Sequence, residues 1–67
     1  MNARELAEKL LKDADFRRDF TAQLEARAVG AETMQRLIAY ARDRHATAEH
    51  AIARRVLTEA GISWEAL

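Results

Sequence analysis

The chain contains very few residues that end or break a helix. It contains no proline, and its only glycines are Gly30 and Gly61. Proline breaks the interior of a helix and glycine commonly ends one, so long segments without either residue favour helices. Few β-branched residues occur, and none alternate at the period of two that a half-buried strand shows. The sequence therefore predicts an all-α fold.

The length limits how this fold can be stabilised. The chain has 67 residues, which predicts a single helical domain over residues 1–67. Domains this small bury a smaller fraction of their surface than larger ones, and they usually add disulfides, a metal ion or self-association. The sequence has no cysteine, so disulfides and thiolate metal sites are excluded. Self-association is the remaining common device, and we expect a homodimer.

The charges are balanced, with 11 Lys and Arg against 11 Asp and Glu, for a formal net charge of zero. Nucleic-acid-binding proteins usually carry a basic excess, because much of their affinity comes from neutralising phosphates. No apolar run approaches the roughly 20 residues of a membrane-spanning helix. The first residues, MNARELAEKLL, lack the features of a secretory signal. We therefore expect a cytoplasmic protein that has neither nucleic acid nor membrane as its partner.

Two short helices are predicted in the first half of the chain. The first covers about residues 3–12, and Asn2 with Glu5 three residues later resembles a capping box at its start. The second covers about residues 14–28 and is expected to end at Gly30 in the left-handed conformation. The core residues expected to hold the second helix to the third are Phe16, Phe20, Leu24, Leu37 and Ile38.

A third, longer helix is predicted over about residues 32–60, ending at Gly61. At 1.5 Å per residue it would be about 43 Å long, roughly the length of the first two helices laid end to end. We therefore expect two short helices packed on one long C-terminal helix in a small helical bundle, closed by a short turn at residues 63–67. A break near Ala46 and Thr47, with Thr47 capping a new helix, is the alternative.

The stretch RHATAEHAIARR contains both histidines. His45 and His50 are five residues apart, so on one straight helix their side chains diverge by roughly 140°. His45 and Glu49 could supply two metal ligands, whereas zinc normally needs three or four. We expect no metal and no cofactor. Because there is no cysteine and Ser63 is the only serine, we also expect no catalytic residues and no enzyme activity. His50 and Arg54 are expected on the solvated face of the helix.

One stripe of the predicted long helix has the 4-3-4-3 spacing of a coiled-coil seam, and alanines recur every seven residues beside it. In an antiparallel homodimer with its two-fold axis between His45 and Ala46, Arg42 of one copy would meet Glu49 of the other. Trp64 is either a partner anchor or a core residue. The interface candidates are Ile38, Ala39, Arg42, His45, Ala46, Glu49, Ile52, Ala53, Val56 and Trp64.

These features favour a small non-catalytic protein that binds another protein, as a regulator, adaptor or inhibitor. One alternative is a small DNA-binding transcriptional regulator. In that case IAYARDRHATAEHAIARRVL would form a helix-turn-helix, Thr47 would open the recognition helix, and Arg54 and Arg55 would face phosphate. Affinity for duplex DNA that falls steeply as salt rises would identify such a protein.

A second alternative comes from a family resemblance. The segments LLKDADFRRDF and AGISWEAL resemble the opening and closing of leader regions of Nif11-type peptide precursors. The resemblance covers under a third of the chain, and the interval between the two segments is much longer than in that type. It implies a leader-type peptide precursor.

Overall fold

The computed structural model describes residues 1–65 of the chain. Those residues form four α-helices of similar length and no strands, so the prediction of a small all-α bundle is confirmed. No helix in this part of the chain has the length and apolar character needed to cross a membrane. The helices are α1 (Ala3–Lys12), α2 (Ala14–Glu25), α3 (Ala31–Arg42) and α4 (Ala48–Glu59).

The bundle is arranged around α1 and α4. These two helices contact each other, and each also contacts both α2 and α3. Over residues 1–65, no Cα atom of α2 lies within 8 Å of one in α3, so these two helices pack on the central pair and not closely on each other. The core therefore consists mostly of the inner faces of α1 and α4. Its buried residues are Leu6, Ala7, Leu10, Phe20, Leu24, Leu37, Ala41, Ile52, Ala53, Val56, Leu57 and Ala60.

The start of α1 is formed as predicted. Asn2 Oδ1 accepts a hydrogen bond from the Glu5 backbone N–H at 2.8 Å, and Glu5 Oε1 accepts one from the Asn2 N–H at 3.1 Å. This reciprocal pair is a capping box, which satisfies backbone donors that the first turn of a helix leaves unpaired. A single residue, Asp13, then separates α1 from α2.

The predicted end of the second helix is wrong. Helix α2 ends at Glu25, and the left-handed residue is Arg27, with φ of 55°, not Gly30. The Arg27 N–H donates to Leu24 O and the Ala28 N–H to Gln23 O, which is the Schellman pattern of a helix end. The Arg27 guanidinium also donates to Leu24 O at 2.7 Å, so this side chain caps the helix whose end it forms.

The predicted continuous helix over residues 32–60 is also wrong, and the alternative break is observed. The helix stops at Arg42, residues 43–47 are not helical, and α4 begins at Ala48 with Thr47 as its N-cap. A 43 Å helix would extend beyond partners of ten and twelve residues, which leaves apolar surface in water. The break lets α4 lie against α1, α2 and α3, where it buries Ile52 and three further apolar residues.

The expected pairing of the second and third helices is corrected as well. Phe20, Leu24 and Leu37 are buried as predicted, and Phe16 and Ile38 are half-buried against the core. However, α2 packs on α1 and α4 and not on α3. Because the predicted third helix is broken, α4 folds back and takes the position beside α2 that α3 was expected to fill.

The end of α4 follows the prediction. Gly61 has φ of 74°, and the Ile62 N–H donates to Leu57 O at 2.9 Å, so glycine forms the left-handed helix end expected of it. Ile62 and Trp64 then pack, half-buried, against the core. The last two residues of the predicted turn at 63–67 lie outside the described part of the chain.

Candidate functional site

An open groove of about 740 Å³ lies beside the connection between α3 and α4. It is bounded by the last turn of α3, by residues 43–46, by one arginine of α4 and by the segment that follows α4. We call it the corner groove. Its lining residues are Ala39, Ala41, Arg42, Asp43, Arg44, His45, Ala46, Arg54, Trp64 and Glu65.

Arg54 connects α4 to the end of α3 and to the connection between the two helices. Its Nε donates to Ala41 O at 2.8 Å, and its Nη2 donates to Asp43 O at 2.6 Å and to His45 O at 3.2 Å. The last carbonyls of a helix have no partner within the helix, and here a guanidinium supplies one. The prediction that Arg54 is solvated is therefore wrong: it is half-buried, and its Nη1 makes no hydrogen bond to residues 1–65.

Trp64 forms another wall of the groove. Its indole N–H donates to Thr58 Oγ1 at 3.0 Å, which positions the ring at the end of α4. The Arg54 guanidinium carbon lies 5.7 Å from the centre of this ring, within the range of a cation–π contact. Trp64 is only half-buried, so part of an aromatic surface remains accessible beside a cationic group.

The two histidines lie together: His45 belongs to the connection and His50 to the first turn of α4. His50 is only 6% exposed, so its predicted solvated position is wrong. Its ring stacks on Tyr40 with centroids 3.9 Å apart, and the edge of one histidine ring meets the other at 5.1 Å between centroids. The predicted divergence of His45 and His50 assumed one straight helix. The break after Arg42 brings them to one side instead.

His50 has two different ring nitrogens. Its Nδ1 is hydrogen-bonded to Thr47 Oγ1, whereas its Nε2 is buried without a hydrogen-bond partner among the described residues. The Asp43 carboxylate lies beside both histidines, with Oδ2 3.8 Å from His50 Nε2 and Oδ1 3.6 Å from His45 Nε2. Within residues 1–65, no three His, Cys, Asp or Glu side chains are placed to bind one metal ion together.

Tyr40 is the group whose titration this environment perturbs. Burial raises the pKa of Tyr40 above its ordinary value of 10.0, and the negative charge of Glu49 raises it further. The neighbouring Thr47 side chain has the opposite effect on this pKa. The Tyr40 hydroxyl therefore keeps its proton to higher pH than an exposed phenol does.

The corner groove is lined by three arginines. Arg42, Arg44 and Arg54 all line it, while the Asp43 carboxylate is held against the two histidines. Glu65 is the other acidic residue of the lining. The groove thus combines guanidinium groups with alanine methyl groups and an indole ring. Such a surface suits a ligand that carries a carboxylate or phosphate next to an apolar group.

The predicted interface residues fall into three places. Ile52, Ala53 and Val56 are buried in the core, and Ile38 is half-buried against it. Glu49 lies on the histidine side, in a shallow cleft with Tyr40 and His50. The remaining five candidates all line the corner groove: Ala39, Arg42, His45, Ala46 and Trp64.

The helix break also removes the geometry of the predicted antiparallel dimer. Its two-fold axis required a helix that runs through His45 and Ala46, and both residues belong to the non-helical connection. Sequence reasoning missed Arg44 and Arg54 as groove residues. The signal that could have identified Arg54 is its position seven residues after the capping Thr47, where it can reach back over the connection.

Comparisons of the chain with protein-family models, with curated proteins and with solved structures find no match.

Proposed function

We propose that this protein is a small non-catalytic binding protein, a regulator or adaptor in the cytoplasm, and that the corner groove receives an acidic segment of a partner protein. The observation that carries the proposal is the accessible Trp64 ring beside Arg54, at the edge of a groove of about 740 Å³ that three arginines line. Tryptophan and arginine are the side chains most enriched among those that dominate protein–protein affinity.

Charge complementarity defines the partner segment. Arg42 and Arg44 are exposed at the groove, and the Nη1 of Arg54 has no hydrogen bond to the described residues. Guanidinium groups bind carboxylates with two parallel hydrogen bonds, which a lysine does not provide. An aspartate or glutamate next to an apolar side chain would place its carboxylate on the arginines and its apolar group against Trp64.

The outer face of α4 favours a protein partner over duplex DNA. In a helix-turn-helix, α4 would have to present that face to the major groove. The exposed residues there include a single arginine, Arg55, and its Nε donates to Glu59 Oε1 at 2.8 Å. An acidic residue that pairs with this arginine would oppose contact with phosphates.

A displayed library of random peptides tests the proposal without knowledge of the natural partner. Selection on the wild-type protein should enrich peptides in which an acidic residue neighbours an apolar one. Binding of the best peptide, followed by fluorescence anisotropy, should weaken by roughly tenfold or more in Arg42→Glu with Arg44→Glu. Trp64→Ala should weaken it by about thirtyfold, the effect of losing a dominant interface residue.

Arg18→Glu is the matched control, because Arg18 is an exposed arginine on α2, away from the groove. Reversal of the charge at Arg18 should leave the affinity for the peptide unchanged. Enriched peptides without acidic residues, or equal loss in Arg18→Glu, would refute the groove as the docking surface. A wild-type protein that instead binds duplex DNA, with a steep salt dependence, would favour the transcriptional regulator.

A further inference from the structure

The connection between α3 and α4 bends a segment that has no helix-breaking residue. Residues 43–47 read DRHAT, with neither glycine nor proline, and the nearest glycines are Gly30 and Gly61. An apolar pattern with helical spacing continues from α3 into α4 across this connection. The local sequence is therefore compatible with a bent connection and with a continuous helix, and contacts from elsewhere decide between them.

The contacts that maintain the bend come from α4 itself. Arg54 donates three hydrogen bonds to carbonyls between residues 41 and 45, and Thr47 caps α4 by accepting from the His50 N–H at 3.2 Å. None of these contacts involves α1 or α2. The hydrogen bonds that hold the bend are therefore distinct from the apolar contacts that bury α4 in the core.

Helix α4 cannot leave the core without a replacement. It buries Ile52, Ala53, Val56 and Leu57, and it packs against all three other helices. An open chain would expose this surface and the matching surface of α1. A second open copy presents the same two surfaces, so each copy can accept the α4 of the other with its core contacts unchanged.

We propose that two copies of this chain exchange α4 and form a domain-swapped dimer, in which residues 43–47 become helical and join α3 to α4. This dimer is a different species from the four-helix monomer. Its formation replaces the hydrogen bonds of the bend by those of a helix. Residues 42–46 also form much of the corner groove. If the groove binds a partner segment, which rests on the proposed function, the exchange removes that site, and a bound partner favours the monomer.

A distance within one chain distinguishes the two species. The protein has no cysteine, so cysteines placed at the exposed Glu32 and Glu59 can carry spin labels. In one continuous helix these positions are 27 residues apart, or about 40 Å at 1.5 Å per residue. The four-helix monomer extends over only 26 × 26 × 20 Å along its principal axes. Labelled chains are refolded with an excess of unlabelled protein at high concentration, and monomer and dimer are separated by size.

The dimer fraction should report the conformation of residues 43–47. Ala46→Gly should lower the dimerisation constant by about twenty-five-fold, roughly fivefold for each of two connections, because glycine disfavours the helix. Ala51→Gly is its control, since Ala51 is exposed on α4 and helical in both species. Arg54→Gln removes hydrogen bonds present only in the bend and should raise the dimer fraction, whereas Arg55→Gln should not.

The expected result is a dimer with an intrachain distance near 40 Å. Ala46→Gly should lower the fraction of this dimer, and Arg54→Gln should raise it. A dimer that keeps the short monomer distance would overturn the exchange. So would the absence of any dimer in wild type and in Arg54→Gln after refolding at high concentration, or equal effects of Ala46→Gly and Ala51→Gly. None of these measurements uses a peptide, so they stand independently of peptide binding.

Discussion

The α1–α2 corner and the α3–α4 corner both turn the chain with a side-chain cap. The Asp13 carboxylate accepts a hydrogen bond from the Phe16 N–H at 2.9 Å, and the Thr47 hydroxyl accepts one from the His50 N–H at 3.2 Å. Each cap lies three residues before the donor that it satisfies, the spacing expected of an N-cap.

At both corners, an arginine in the helix that follows the turn donates to backbone carbonyls at or just after the end of the helix that precedes it. Arg17 Nη1 donates to Leu10 O at 2.7 Å, and Arg54 donates to three carbonyls. The α1–α2 corner consists of Asp13 alone, whereas the other contains residues 43–47. A one-residue connection leaves little freedom, so the cap largely defines its path. The path of the five-residue connection depends on Arg54. The α3–α4 corner is therefore the one at which we expect the chain to open for the exchange of α4.

The largest expected effect is that of Arg54→Ala. Loss of hydrogen bonds to three carbonyls should lower the free energy of unfolding by about 2–3 kcal/mol, since bonds to a charged donor are worth roughly 1.5–3 kcal/mol each and Arg54 is only half-buried. Arg17→Ala should cost about 1 kcal/mol, because its corner is already constrained. Urea denaturation measures both.

Arg55→Ala is the control for Arg54→Ala, because Arg55 is exposed and its partner among residues 1–65 is Glu59 in an i,i+4 pair. It should change stability by less than about 0.5 kcal/mol. If Arg17→Ala cost as much as Arg54→Ala, the two corners would depend equally on their arginines and the distinction drawn between them would fail.

A smaller effect is expected from the caps. Loss of an N-cap costs typically about 1 kcal/mol, which is our expectation for Asp13→Ala. Thr47→Ala should cost about 1–2 kcal/mol, because it also removes the partner of His50 Nδ1 and leaves a second nitrogen of a buried ring unsatisfied. Thr47→Ser keeps the hydroxyl and should recover most of the loss in thermal denaturation. Equal costs for Asp13→Ala and Thr47→Ala would argue against the additional role of Thr47.

The same comparison explains which parts of the fold the sequence predicted. The α1–α2 corner was predictable because Asp13 lies where the apolar pattern is interrupted, so cap and pattern agree. Thr47 lies inside a pattern that continues, so local signals favour one helix. The bend follows from Arg54 and from burial of α4, and both involve residues far apart in sequence. Gly61 was recognised as a helix end by its residue type, whereas Arg27 adopts the same conformation without such a signal.

The candidate site was predicted only in part for the same reason. Arg42, His45 and Ala46 were selected as contact residues on one helix face, and they line one groove although that face does not exist. They remain clustered because they lie close together in sequence, Arg42 at the end of α3 and the other two in the connection itself. Arg54 was expected on the solvated face, because its place in the groove depends on the return of α4 to α3. Trp64 was predicted as a partner anchor or a core residue, and it lines the groove.

The smallest expected effect is a pH dependence specific to the α3–α4 corner. Burial and then the charge of Glu49 raise the pKa of Tyr40 above 10.0 in the folded protein. The unfolded chain therefore loses this proton first as pH rises past about 10, the ordinary tyrosine value. Proton loss stabilises the unfolded state, so the contribution of Tyr40 to stability is complete below pH 10 and is lost as pH rises through the folded pKa.

Tyr40→Phe keeps the ring that stacks on His50 and removes the titrating hydroxyl. The difference in unfolding free energy between wild type and Tyr40→Phe should therefore be constant near neutral pH. Above about pH 10, the unfolding free energy of wild type should fall relative to that of Tyr40→Phe. Urea denaturation at a series of alkaline pH values gives this difference, and phenolate absorbance gives the pKa of the single tyrosine in the folded chain. Glu49→Gln should lower that pKa, because it removes the second cause of the shift. A tyrosine that titrates at or below its ordinary pKa in the folded protein would mean that the phenol is solvated, and that the α3–α4 corner is more open than its stacked rings indicate.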